Sequence, residues 1–144
     1  MKKLLLILCT LILFTDHVFS ENMGHIRVEI KGIKDRPKGV LSCSIFNSKE
    51  DFLIESKSLQ TLDAKLSSGS AFCEFDVPMN KEYAVAVLDD ENGNRILDKT
   101  TFGAPKEGWA TSKNITHPFS APDFDESKVL LEEKPLTLIL IMHY

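Results

Sequence analysis

The sequence predicts an all-β protein, an antiparallel β-sandwich of about seven strands, immunoglobulin-like or prealbumin-like, with one long aromatic-anchored loop. Three observations lead there. Short segments alternate apolar with polar residues, the period of a half-buried strand. Turns bearing Gly, Pro, Asn and Asp punctuate those segments at regular spacing. One stretch, Lys99 to Ser127, keeps no sustained period of either kind and carries Phe102, Trp109, Phe119 and Phe124 among three prolines.

Taken in order, Ile26, Val28 and Ile30 alternate with Arg27 and Glu29, which predicts a strand over His25 to Lys31. Gly32 and the segment Asp35 to Gly39, with Pro37, predict a turn. Val40 to Phe46 is the second strand, with Leu41, Cys43 and Ile45 on one face and Ser42 and Ser44 on the other. Asn47 to Leu53 predicts a short helical turn capped at Asn47 or Ser48, because Glu50 and Asp51 follow early. Leu59 to Leu66 alternates imperfectly and reads either as a strand or as more of this irregular stretch, before Ser67 to Ser70 breaks it.

Ala71, Cys73, Phe75 and Val77 share one face of the next strand, which Pro78 closes. Tyr83 to Leu88 is apolar on both faces and is expected at the centre of a sheet. Val129 to Leu131 and Leu136 to Tyr144 are the last two strands, separated by Glu132, Glu133, Lys134 and Pro135. A membrane β-barrel is the rival architecture, since Leu138, Leu140 and Met142 alternate towards the terminal aromatic Tyr144. Barrels need many apolar bands of about 10 residues with polar lumen positions between them, and the central third of the chain lacks these.

The N-terminus reads as a cleavable secretory signal over residues 1–20. Lys2 and Lys3 precede the apolar run Leu4 to Phe14, and Val18 and Ser20 are compact enough for cleavage after Ser20. A transmembrane helix needs roughly 20 predominantly apolar residues, and Asp16 and His17 interrupt this run well before that. Cys9 sits inside the run behind Leu8, which argues against lipidation. Residues 21–144 then form one domain, exported to the periplasm or secreted. The full chain's net charge of −4, with lysines scattered among acids, argues against a nucleic-acid partner. Cys43 and Cys73 lie on the inward faces of separate strands, and in an exported chain they are expected to form a disulfide.

Two constellations are candidates for chemistry. In the acidic turn Asp89 to Asp98, the side chains of Asp90, Asn92, Asn94 and Asp98 with the Ile96 carbonyl resemble the first positions of an EF-hand calcium loop. Arg95 stands where that loop wants Gly, and Thr101 where it wants a bidentate Glu. The alternatives are calcium held at the weak, extracellular end of the scale and a plain Asn-Gly turn made acidic for solubility. In the second constellation, Glu107, Trp109, Ser112 and Asn114 offer an aromatic face with directing polar groups for a small molecule, glycan or protein partner. The alternative there is a Trp that pins its own loop.

No enzyme signature accompanies them. His25, His117 and His143 lack metal-ligand spacing, Ser67 to Ser70 is no nucleophile elbow, and the cysteines lie on apolar faces. No resident cofactor is implied beyond the calcium considered above. Asn114, Ile115 and Thr116 match a glycosylation acceptor.

Lys38 to Asn47, Tyr83 to Val87, Asp90 to Asn94 with Leu97 and Asp98, and the run Phe102 to Gly108 together resemble the bacterial domain of unknown function 2141 family. In that pattern the position of Arg95 is commonly Gly. The resemblance implies an exported bacterial protein with a sandwich-like β domain, and no established activity comes with it. The function expected on these grounds is a noncatalytic binding or structural module. The alternative is a periplasmic hydrolase or lyase using the 99–127 loop.

Overall fold

The computed structural model describes residues 21–34, 39–67 and 70–144. The expected leader over 1–20, most of the turn around Pro37 and the break at Ser68 and Gly69 lie outside the described residues. The described chain forms nine strands: β1 (Met23–Lys31), β2 (Val40–Phe46), β3 (Gln60–Asp63), β4 (Lys65–Ser67), β5 (Ser70–Pro78), β6 (Lys81–Asp90), β7 (Gly108–Thr111), β8 (Val129–Leu131) and β9 (Leu136–Ile141). They make two sheets. The first runs β4-β5-β1-β9, the second β3-β2-β6-β7, with β8 added beside β6.

The alternation visible in each strand becomes the core between the sheets. Val28 faces Cys73 and Ile26 faces Phe75 across β1 and β5, while Cys43 faces Val87 and Ile45 faces Val85 across β2 and β6. All eight are buried, and Tyr83, Leu131, Leu138 and Leu140 join them. The Cys43–Cys73 disulfide crosses this core, linking β2 of one sheet to β5 of the other. The apolar second face of β6 is also explained. Ala84 there lies beneath a smaller cluster in which Phe52 packs edge-on against Phe46 and Phe124, at centroid distances of 5.5 and 5.9 Å.

Several local expectations are corrected. Leu59 to Leu66 is one extended run that changes sheet: β3 pairs with β2, and beyond Ala64 β4 pairs with β5. A strand that switches sheets must turn one face towards two directions, which spoils its alternation. No helix forms over Asn47 to Leu53; the segment is a turn in which the Ser48 hydroxyl donates to the Asp51 carboxylate (2.8 Å) and Leu53 takes a positive φ (65°) that ends any helical path. Helical structure there is one 3-10 turn at Glu55–Lys57. The pairing is not wholly antiparallel, since β9 lies parallel to β1.

The 99–127 stretch is not wholly irregular either. It contributes β7, a 3-10 turn at Ser112–Asn114 and the four-residue helix α1 (Phe124–Ser127), capped by a reciprocal Asp123–Glu126 box. Of its aromatics, Phe124 is buried and Trp109 half-buried, whereas Phe102 and Phe119 are fully exposed and anchor nothing. No helix among the described residues is long and apolar enough to cross a membrane.

Candidate functional site

The second sheet delivers its longest strand, β6, into the acidic turn. Asp90, the last residue of β6, is buried, and the chain folds back over it with positive φ at Gly93 (78°) and Arg95 (59°). Its Oδ1 accepts from the amides of Gly93 (2.8 Å) and Asn94 (3.2 Å), and its Oδ2 from the amide of Arg95 (2.9 Å). Asn92 Oδ1 accepts from the Asn94 amide and Asn94 Oδ1 from that of Ile96, while both side-chain amides donate to Asp98. The residues picked for calcium therefore do come together, but Asp90, Asn92 and Asn94 turn their oxygens onto backbone N–H groups instead of a shared centre. Among the described residues no group of three or more His, Cys, Asp or Glu is arranged to hold a metal.

The four residues read as a binding platform serve four different structural contacts. Glu107 is buried, and its two carboxylate oxygens accept from the amides of Glu91 (2.9 Å) and Asp98 (3.0 Å), so it straps the acidic turn to β7. Trp109 stacks obliquely on His143 (5.2 Å) and exchanges two backbone hydrogen bonds with it, joining the edges of the two sheets. Ser112 Oγ accepts from the Val85 amide (2.9 Å), plugging the gap along β6 between β7 and β8. Asn114 donates to the Ile139 carbonyl and accepts from the Ile141 amide (2.9 and 2.8 Å), occupying the outer edge of β9 as a neighbouring strand would.

Asn114→Ala should thus uncover one carbonyl and one amide of an edge strand and place a Cβ-bearing residue with no side-chain partner at φ 54°. We expect a loss of about 1 to 2 kcal/mol in urea denaturation and concentration-dependent scattering that the parent chain does not show. An unchanged midpoint would remove the edge-covering role.

Sequence reasoning missed a cluster on the outer face of the second sheet. From its left-handed backbone, Arg95 reaches back over the sheet to Ser42 Oγ (3.2 Å), Asp63 (3.0 Å) and Glu55 (3.6 Å). Ser44, Thr61 and Ser58 form a row of hydroxyl contacts beside it. The available signal was the arginine itself, a long side chain at a turn position that favours Gly, which pays only where the side chain finds partners.

Burial raises the Glu55 carboxyl above the usual glutamate range, opposed by the Arg95 guanidinium. The folded state then holds this proton more tightly than the unfolded state. That contribution to stability is present below the unfolded pKa and fades as pH rises through the folded one. Glu55→Gln should remove the component, so that the variant gains on the parent as pH rises from the usual glutamate range towards neutrality. Thermal midpoints across that range check it; parallel curves would contradict it.

The rest of the loop points outward. Between Asp98 and Glu107 the chain makes a tight hairpin turn, with Lys99 bridged to Pro105 and backbone hydrogen bonds from Thr100 to Ala104, Gly103 to Thr100 and Lys106 to Asp98. The Thr100 hydroxyl accepts from the Ala104 amide, and Gly103 takes the positive φ (84°) that the turn needs. Phe102 sits at the apex, 97% exposed. Phe119, on the separate stretch between Pro118 and Pro122, is equally exposed.

Residues 28–138 match a bacterial family described as "Uncharacterized protein conserved in bacteria (DUF2141)". No curated protein matches the chain.

Proposed function

The chain belongs to the DUF2141 family, and from that premise we propose that it is an exported, noncatalytic β-sandwich module that binds a partner through the loop between β6 and α1. One observation carries the reading: Glu107, Ser112 and Asn114, the polar groups a catalytic loop would use, are each spent on backbone amides and carbonyls, while the same loop lifts aromatic side chains into solvent. A general base or nucleophile must reach the substrate, and Glu107 and Ser112 are buried with their side chains held on backbone groups. Export is supported by the Lys2, Lys3 and Leu4 to Phe14 pattern and by a cysteine pair suited to an oxidising compartment.

Two measurements test the reading. Intact mass of chain recovered from a periplasmic fraction should begin at Glu21; full-length chain confined to the cytoplasm would overturn export. A panel of chromogenic esters, glycosides, phosphate esters and peptides should show no turnover. Turnover that Glu107→Gln or Ser112→Ala abolishes, in variants that stay folded, would establish the hydrolase alternative instead.

A further inference from the structure

We propose that the Lys99–Lys106 turn docks on an anionic lipid surface, with Phe102 entering the apolar edge of the bilayer and Lys99 and Lys106 meeting the headgroups. The inference rests on the binding-module reading and names its partner. Three features of the turn carry it. Phe102 is held out at 97% exposure by a turn closed through its own hydrogen bonds, so its exposure is built in and ordering it costs little on docking.

The turn's charge is also opposite to that of the chain. Lys99 and Lys106 are exposed, and no ion pair among the described residues engages them; the lysines that do form ion pairs are Lys49, Lys57, Lys81 and Lys128. The stretch from Lys99 to Lys106 holds no carboxylate. Of the acids that bound it, Glu107 is buried with both oxygens on amides, and Asp98 receives the side chains of Asn92 and Asn94. A chain of net charge −4 is repelled by an anionic surface in most orientations, so a local basic tip decides which end faces it.

Third, the tip is small and convex. Every residue from Thr101 to Lys106 is exposed, and a single aromatic wedge between two cations suits a soft interface whose apolar layer lies just below its charges.

Co-sedimentation with vesicles decides the matter. The chain should bind vesicles of phosphatidylcholine and phosphatidylglycerol, and bind phosphatidylcholine alone much more weakly, with the difference falling as salt rises. Phe102→Ser should lower the affinity roughly 10- to 100-fold, and Lys99→Gln and Lys106→Gln roughly fivefold each. Phe119→Ser is the control, because it removes an equally exposed phenylalanine from a segment without a lysine on either side of the ring. It should leave binding unchanged.

Since Phe102 contacts almost nothing, its variant should keep the parent thermal midpoint. Absence of binding by the folded chain would overturn the proposal, as would equal losses in Phe102→Ser and Phe119→Ser. Binding to polyglutamate that survives Phe102→Ser would overturn it in favour of an acidic polypeptide partner. None of these outcomes touches the exported, noncatalytic reading, which fails on cytoplasmic retention or on substrate turnover.

Discussion

Replacing both Cys43 and Cys73 by alanine should lower the unfolding free energy by about 3 to 4 kcal/mol, the chain-entropy value for a bridge of this span. The two residues are 30 positions apart, on β2 and β5, with Cα atoms 6.5 Å apart across the sandwich. Opening the bridge restores to the unfolded chain the conformations in which those strands drift apart. For a domain of this size the thermal midpoint should fall by roughly 10 to 15 °C. Both cysteines are buried, so reductant should act slowly on the folded protein and quickly once it opens. The check is a urea titration of parent and variant with and without reductant, with free thiols counted by alkylation and mass. Parent protein that is equally stable with both thiols alkylated would show that the bridge contributes nothing.

Asp90→Ala should cost about 2 to 3 kcal/mol, more than removal of any other carboxylate in the turn. Its two oxygens hold three amides, those of Gly93, Asn94 and Arg95. Without them the turn must find water for three donors and loses the left-handed backbone that aims Arg95 at Ser42 and Asp63. Those amides belong to exposed residues, so solvent recovers part of the loss, which keeps the figure below the sum for three buried donors.

Asp90→Asn keeps one acceptor oxygen and should cost about half as much, while Asp98→Ala, which loses only side-chain amide donors, should cost under about 1 kcal/mol. Urea midpoints for the three variants establish the order. With the oxygens turned onto amides, millimolar calcium should leave the parent midpoint where it is. A calcium-dependent rise that vanishes in Asp90→Ala would mean that the turn opens to a cation at the affinity of an extracellular module.

The strands that were legible in the sequence are those whose two faces meet different surroundings. β1 alternates because Ile26, Val28 and Ile30 meet the core while Arg27 and Glu29 meet solvent, with Arg27 paired to Glu74 (2.6 Å) across the open face. Period fails where a strand has no single solvent side. β3 and β4 divide one run between two sheets, and the short β7 lies in a segment whose neighbours are turns. Pairing direction is likewise invisible locally, since β9 lies parallel to β1 only because a long connection brings it round.

The site residues divide along the same line. Asp90, Asn92, Asn94 and Asp98 were recognisable as a cluster because a tight turn brings together oxygens that lie near one another in the chain. Whether those oxygens face a cation or the turn's own amides depends on the signs of φ at Gly93 and Arg95, which composition does not specify. Glu107, Ser112 and Asn114 drew notice as polar groups in an aromatic loop, yet their partners lie 9 to 27 residues away and on both sheets.

From its sequence alone, then, this protein was determined to be a two-faced β chain with a cysteine pair on inward faces, a net acidic surface and an acidic turn. Each follows from residue chemistry and short-range periodicity. The tertiary structure alone decided that the loop's polar groups serve the scaffold and that Arg95 reaches Ser42, Asp63 and Glu55. It also decided that Phe102 stands in solvent where an anchor was expected. A side chain's partner is set by which distant backbone groups remain unpaired once the sheets close, and that emerges only when all the strands are in place.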